Sequence, residues 1–377
     1  MPFDPITKPE PNISTFLRGR IDAGDFPSAV YIVAEHGRAI FADALGNAVR
    51  EPETHAASME TIYDLASLTK PLVTGLLCAR LVQLGELALD SSIANYLLEF
   101  DRPDKNLITI RQLLTHTSGL PAWRPLYITA QGIQDGAIAA IANQPLAYEP
   151  GAQVLYSDLG FIVLGFLLNR LTGMTLDHLA QHQVFNELHL QRTFFNPVQA
   201  IRSGIAACES GNRYERDMCE LDPELSSYSG WRTGAIWGEV HDGNASFLGG
   251  VAGHAGLFST AGETLRLANQ FVDTLSELLS KDTCELFRMN MTAGLNEARS
   301  FAWQLAATKD STAGPALPPD AFGHTGFTGT SCWVDAPSER VYLLLTNRTH
   351  ARTLPFANIN AVRRQFHTLA AAALPPK

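Results

Sequence analysis

Cysteine is scarce in this 377-residue chain, with five residues at Cys78, Cys208, Cys219, Cys284 and Cys332. An odd number with no C-x-x-C pair fits neither a disulfide framework nor a zinc ribbon. The thiols read as buried and incidental, and a Cys208–Cys219 bridge is open only in an oxidising compartment. Basic charge is also short. Lys and Arg number 28 against 38 Asp and Glu, a formal net charge of -10 with no long basic run, which argues against a nucleic-acid surface. No apolar run is long enough to span a bilayer, the longest uncharged one being Leu159 to Leu168. The segment Met1 to Glu10 carries Asp4, Lys8 and Glu10 and does not read as a signal peptide. A cytoplasmic protein is therefore expected, although a trimmed periplasmic or secreted precursor would look the same. Internal repeats, low-complexity segments, an H-E-x-x-H pair and a G-x-S-x-G elbow are all missing, so neither a zinc protease nor an α/β-hydrolase triad is supported.

What is present is ordinary in bulk: 46% apolar and 18% charged residues. The length exceeds one compact core, so two lobes are expected. A short helix over 14–23 precedes two apolar runs, Ala29–Ala34 and Ala39–Ala44, joined through Glu35-His36-Gly37-Arg38 as a hairpin. Leu72, Leu76, Leu77, Leu81 and Leu84 mark a helix over Leu65–Leu87, and Pro71 is tolerable if that helix begins near Ser67. Helices are expected over Ile108–Thr115 and Leu159–Leu171, the second stopped by Gly173, and an irregular excursion over 202–240. Strands return at Phe301–Thr308, Phe322–Val334 and Arg340–Thr346, before a closing helix over 358–373. Strands at both ends with helices between imply an α/β (α+β) fold. Residues 1–87 and 241–377 would form an antiparallel sheet flanked by helices, and 88–240 an inserted helical lobe, with the site in the cleft where they meet.

The chemical signal is Ser67-Leu68-Thr69-Lys70. Residues three apart share a helix face, so the Lys70 ammonium reaches the Ser67 hydroxyl, and a helix N-terminus favours an oxyanion there. Serine attacks only when a base takes its proton, and lysine serves only if its pKa falls from about 10.4. A lone S-x-x-K is more often a polar helix start with an exposed lysine. Two later segments change the weighting: Tyr156-Ser157-Asp158 before the Leu159 helix, and His324-Thr325-Gly326 opening a strand.

In that order these three segments resemble the S-x-x-K, Y-x-N and K-T-G signatures of the class C β-lactamases and related esterases and D,D-peptidases. Supporting phrases run from Leu113 to Leu120, Tyr148 to Gly151 and Gly253 to Ser259, and the resemblance covers roughly residues 20 to 370. It implies a β-lactamase/transpeptidase-like fold and a covalent acyl-enzyme on Ser67. Lys70 and Tyr156 would move the proton, and the Ser67 and Phe327 amides would form the oxyanion hole. Thr325, Gly326, His324 and Asp158 would face a small acyl substrate: an ester, a β-lactam or a D-alanyl peptide. No cofactor or metal is required by such chemistry. Asp158 departs from the family's asparagine and doubles as a helix N-cap candidate. Beside Lys70, and with His324 cationic only part of the time, it is expected to favour neutral ester-like substrates over anionic lactams. The rivals are a catalytically silent binding module and a metallohydrolase using His241, Asp242 and His254.

Overall fold

The computed structural model describes residues 7–376. Of the charged N-terminal segment, residues 1–6 lie outside the described residues. Among the described residues nine strands form: β1 (Ser28–Glu35), β2 (Arg38–Val49), β3 (His55–Ala56), β4 (Tyr63–Asp64), β5 (Phe258–Ser259), β6 (Gln304–Leu305), β7 (Phe322–Thr325), β8 (Ser331–Asp335) and β9 (Arg340–Thr346). Seven make one antiparallel sheet in the order β3-β2-β1-β9-β8-β7-β6, and β4 pairs with β5. His36 and Gly37 both take positive φ, 51° and 75°, the pair of left-handed residues that a tight hairpin turn matching strand twist demands.

Interior strand β1 is apolar on both faces, and its period of two sorts the side chains. Tyr31 and Val33 join Tyr342, Leu344 and Trp333 under two helices, Pro11–Asp22 and Asn360–Ala373. Val30, Ile32 and Ala34 face the larger core with Leu343, Leu345, Leu72 and Leu76. Every strand lies outside 88–240, where the regular elements are helical. All five cysteines are free and buried.

Several boundaries differ from the sequence reading, each for a local reason. The helix expected over 65–87 begins as a tight turn at Ala66–Leu68, widens at Lys70–Gly75 into one π-helical stretch and becomes α-helical at Leu76–Gln83. Pro71 has no N–H for the Ser67 carbonyl, so a regular ladder cannot run through the motif. The helix after Ile108 starts at Ile110 because Thr109 caps it in a reciprocal pair with Gln112. Of Phe301–Thr308, only Gln304–Leu305 pairs, since Ala302 sits at φ 64° and breaks the extended chain. The 202–240 excursion holds one α-helix, Arg213–Glu220. In the helix Asp158–Thr172 the cap is Ser157, whose hydroxyl accepts the Gly160 amide at 3.2 Å; Asp158 is the first helical residue and its carboxylate is free to point elsewhere.

Candidate active site

The turn carrying Ser67 is braced from three directions. Ala66 stands at φ 47°, a conformation L-residues rarely adopt, and such strain persists only where the surroundings over-determine it. Its amide donates to the buried Asp64 carboxylate at 2.8 Å, whose other oxygen accepts the His241 amide at 2.8 Å. Burial pushes the Asp64 carboxyl up, and these amide donors pull against that rise without cancelling it. Thr69 Oγ1 donates to the Ala66 carbonyl at 2.6 Å, and Thr330 Oγ1 to the Leu65 carbonyl at 3.0 Å. This last bond ties the turn to the connection between β7 and β8. There Gly326 allows the close approach, because a Cβ would lie 2.6 Å from the Leu65 carbonyl oxygen.

Lys70 is fully buried, and its Nζ has three acceptors: Ser67 Oγ at 3.0 Å, Asp158 Oδ1 at 2.6 Å and the His254 carbonyl at 3.1 Å. Three acceptors match the three donors of an ammonium. Burial alone would lower the Lys70 pKa, but the Asp158 carboxylate and Tyr156 outweigh it and the net shift is upward. The His254 carbonyl arrives by another close approach. A Cβ on Gly253 would fall 2.0 Å from the Phe161 carbonyl oxygen, so only glycine lets this loop lie on the helix. Thr74 Oγ1 donates to the Gly253 carbonyl at 2.7 Å and holds it there.

Tyr156 completes the group, with Lys70 Nζ 4.9 Å from its ring centroid and its hydroxyl in hydrogen-bonding reach of Lys70 and Ser67. Burial raises the phenol pKa and Asp158 adds to it, against the opposing pull of Lys70. The ring packs on His116 at 4.6 Å, itself strained at φ 59°. His116 Nδ1 accepts the Ser157 amide at 3.0 Å, and burial holds its imidazole well below the usual pKa, so it is neutral.

Ser67, Tyr156, Asp158, His324, Thr325, Gly326 and Phe327 all line one cleft of about 420 Å³. His324 corrects the sequence reading. It is buried, its Nδ1 bonds the Thr325 carbonyl at 2.8 Å, and burial followed by Lys70 and Arg299 drives its pKa well down. A neutral imidazole offers no positive charge to a substrate, so the charge balance expected from His324 and Asp158 does not hold. Asp158 is already offset by Lys70. Positive charge comes from Arg348 and Arg363, with Arg299 offset by its ion pair to Glu297; the sequence reading missed all three. Arg363 has no carboxylate in ion-pair range among the described residues, and it donates instead to the Gly326 and Thr330 carbonyls at 2.8 and 3.0 Å. Burial and Arg348 pull it down to about 9, so it remains a cation at neutral pH. Its signal was available: Ile359, Val362, Arg363, Phe366 and Ala370 form one buried helical stripe, and an arginine in such a stripe needs a reason. Glu215, on the excursion helix, had no comparable pattern. His241, Asp242 and His254 separate into two acid–imidazole pairs, His241 with Glu209 at 2.9 Å and His254 with Asp242 at 2.8 Å.

The family model described as Beta-lactamase matches residues 13–364. A protein of Escherichia coli (strain K12) named "Putative D-alanyl-D-alanine carboxypeptidase" is 31% identical over 365 residues, covering 89% of this chain and 81% of that one. An "N-acetylmuramyl-L-alanine amidase" of Bacillus subtilis (strain 168) is 31% identical over 372 residues, covering 91% and 82%. Among solved structures, "EstCE1, a hydrolase with promiscuous acyltransferase activity" superposes with a TM-score of 0.72 at 23% identity, over 95% of this chain and 97% of that one. A penicillin-binding protein homolog from Caulobacter crescentus gives 0.73 at 19%, over 97% and 98%. At such identities the structural likeness is one of fold.

Proposed function

This chain belongs to the β-lactamase family and is a serine hydrolase acting on small acyl substrates, and from that premise we propose that it works through an acyl-enzyme on Ser67. The observation that carries this is the buried Lys70 ammonium, holding Ser67 Oγ at 3.0 Å while Asp158 holds it at 2.6 Å. Because Ser67 Oγ accepts from Lys70, its own hydrogen is directed to Tyr156. Burial and Asp158 hold the Tyr156 phenol up, so the reactive form is a minor population in which Tyr156 is the phenolate and a Lys70 N–H has turned to it from the His254 carbonyl. As Ser67 Oγ bonds to the acyl carbon, its proton passes to Tyr156; as the scissile bond breaks, Tyr156 returns that proton to the leaving group. Water then repeats the sequence and frees Ser67. The Ser67 and Phe327 amides meet the oxyanion, an interaction worth about 3–4 kcal/mol per donor in the transition state.

For the substrate, Arg363 points to a carboxylate. A buried guanidinium without a counter-ion, beside Thr325 and Gly326, supports an anionic acyl donor over the neutral ester expected from the sequence. D-alanyl peptides and muramyl amides, which the names of the two relatives suggest, are amides carrying such groups. Intact mass after mixing with a penicillin and with a fluorophosphonate, followed by peptide mapping, tests the nucleophile: adducts on Ser67 are expected, and label on Ser118 overturns the assignment. A peptide ending in D-alanyl-D-alanine, set against its C-terminal amide, tests the carboxylate. Equal kcat/KM for the two refutes that part.

A further inference from the structure

We propose that the cleft contains a second charged subsite, built on Glu215, that receives an ammonium group, so that the substrate carries a cationic amine as well as its carboxylate. This deepens the reading of the site above and depends on Ser67 being its nucleophile. Three carboxylates line the cleft. Asp158 is paired with Lys70 and Asp242 with His254, but Glu215 has no cationic partner in ion-pair range among the described residues. His241 lies near enough to act on it electrostatically, yet its ring nitrogen is taken by Glu209 at 2.9 Å.

Glu215 is 6% exposed, and leaving a carboxylate so buried without a counter-charge is costly. The chain nevertheless makes room for it. A Cβ on residue 243 would lie 2.1 Å from Glu215 Oε2, so glycine there is what admits the carboxylate. The Gly243 amide donates to Oε1 at 2.8 Å and the Tyr127 hydroxyl to Oε2 at 2.8 Å. These donors fix the orientation of the group and bring no positive charge. Burial and Asp242 push its carboxyl up to about 7, and an arriving ammonium would draw out the ionised form.

The surroundings suit an amine. The cleft that Glu215 lines also carries the rings of Trp123, Tyr214 and Phe327, and aromatic faces attract ammonium groups. Met218, one helical turn beyond Glu215, lines the same cleft. The unpaired charges also come from separate elements, Glu215 from the excursion helix, Arg363 from the closing helix, and Arg348, which donates only to the Phe327 and Ala357 carbonyls, from the segment after β9. A cavity of about 420 Å³ accommodates a small molecule engaging Glu215 and Arg363. The plainer account makes Glu215 a latch that fastens the helix Arg213–Glu220 to the body. A latch stabilises the fold without regard to the charge of a ligand; a subsite discriminates.

The experiment measures protection of Ser67 from a fluorophosphonate by n-hexylammonium and by hexyl methyl ether, a neutral molecule of similar size. In the wild type the ammonium should protect at a concentration at least tenfold lower than the ether. Glu215→Gln should bring the two concentrations within about twofold. Met218→Lys, which places a cation beside Glu215 and leaves its hydrogen bonds in place, should do the same, and it serves if the glutamine variant does not fold. Absence of ammonium preference in the wild type, or its survival in both variants, overturns the subsite. Failure of Ser67 to label at all instead refutes the reading on which it rests.

Discussion

Replacing Gly326 by alanine adds one methyl group at the contact between the end of β7 and the Ser67 turn. Its φ is not in the left-handed region, so alanine is allowed by the backbone and the effect is one of space. The new Cβ would stand 2.6 Å from the Leu65 carbonyl oxygen, where an ordinary contact begins near 3.4 Å, and 2.1 Å from Thr330 Oγ1. Thr330 can rotate, at the loss of its bond to Leu65 and about 1 kcal/mol. The carbonyl cannot rotate, so the strand end must retreat by about 0.8 Å and take the adjoining Phe327 amide with it. An oxyanion donor works at roughly 2.7–3.1 Å, and the same retreat carries it beyond hydrogen-bond range. The expected result is a fall in kcat of about 10²–10³, with KM for a neutral p-nitrophenyl ester changed much less. Overpacking of this kind destabilises by about 1–3 kcal/mol, so a thermal melt must accompany the kinetics. A folded Gly326→Ala enzyme retaining kcat within about threefold of the wild type would refute the reasoning.

Asp158→Asn removes the anion that raises both Lys70 and Tyr156, so the acid limb of kcat/KM should move to lower pH whichever of them limits the rate; a stationary limb counts against the charge argument. His116→Phe keeps a ring beside Tyr156 but leaves the Ser157 amide without its acceptor. It should lower kcat by about tenfold or more, with His116→Asn partly restoring it, and a harmless phenylalanine would show that Tyr156 needs no such support. His367 is buried with its pKa pulled down to about 3 from 6.5 by burial, so unfolding takes up a proton throughout that window. Stability should be fully present above pH 6.5 and fall by up to about 1.4 kcal/mol per unit towards pH 3. Chemical denaturation of His367→Gln should show a shallower dependence, and an unchanged slope would sink the assignment.

The nucleophile segment, the tyrosine and the strand triplet were legible because each is a short local pattern, and the sheet because β1, β2 and β9 are long apolar strands. The three arginines and Glu215 were not, since they are separate residues that only folding brings to one cavity. Arg363 is the intermediate case. The periodicity of its helix places it on the buried face, but which cavity that face borders depends on β7 and β8, joined to it only through the tertiary fold. Asp158 had two readings in the sequence, a cap for the apolar helix and a carboxylate beside Lys70; Ser157, one position earlier, takes the cap, and the carboxylate lies on Lys70.

The neighbouring positions of β1 and β9 constrain the birth of the molecule. Strand β1 is complete at residue 35, yet its partner on one side begins at residue 340. At about 5–20 residues per second, a ribosome needs roughly 15–60 s to make the intervening chain. Throughout that interval the hairpin of β1 and β2 must wait with an apolar strand edge unpaired, the kind of surface on which nascent chains aggregate. The central pairing of the sheet is therefore among the last events of synthesis, and a chain halted before residue 340 cannot close it.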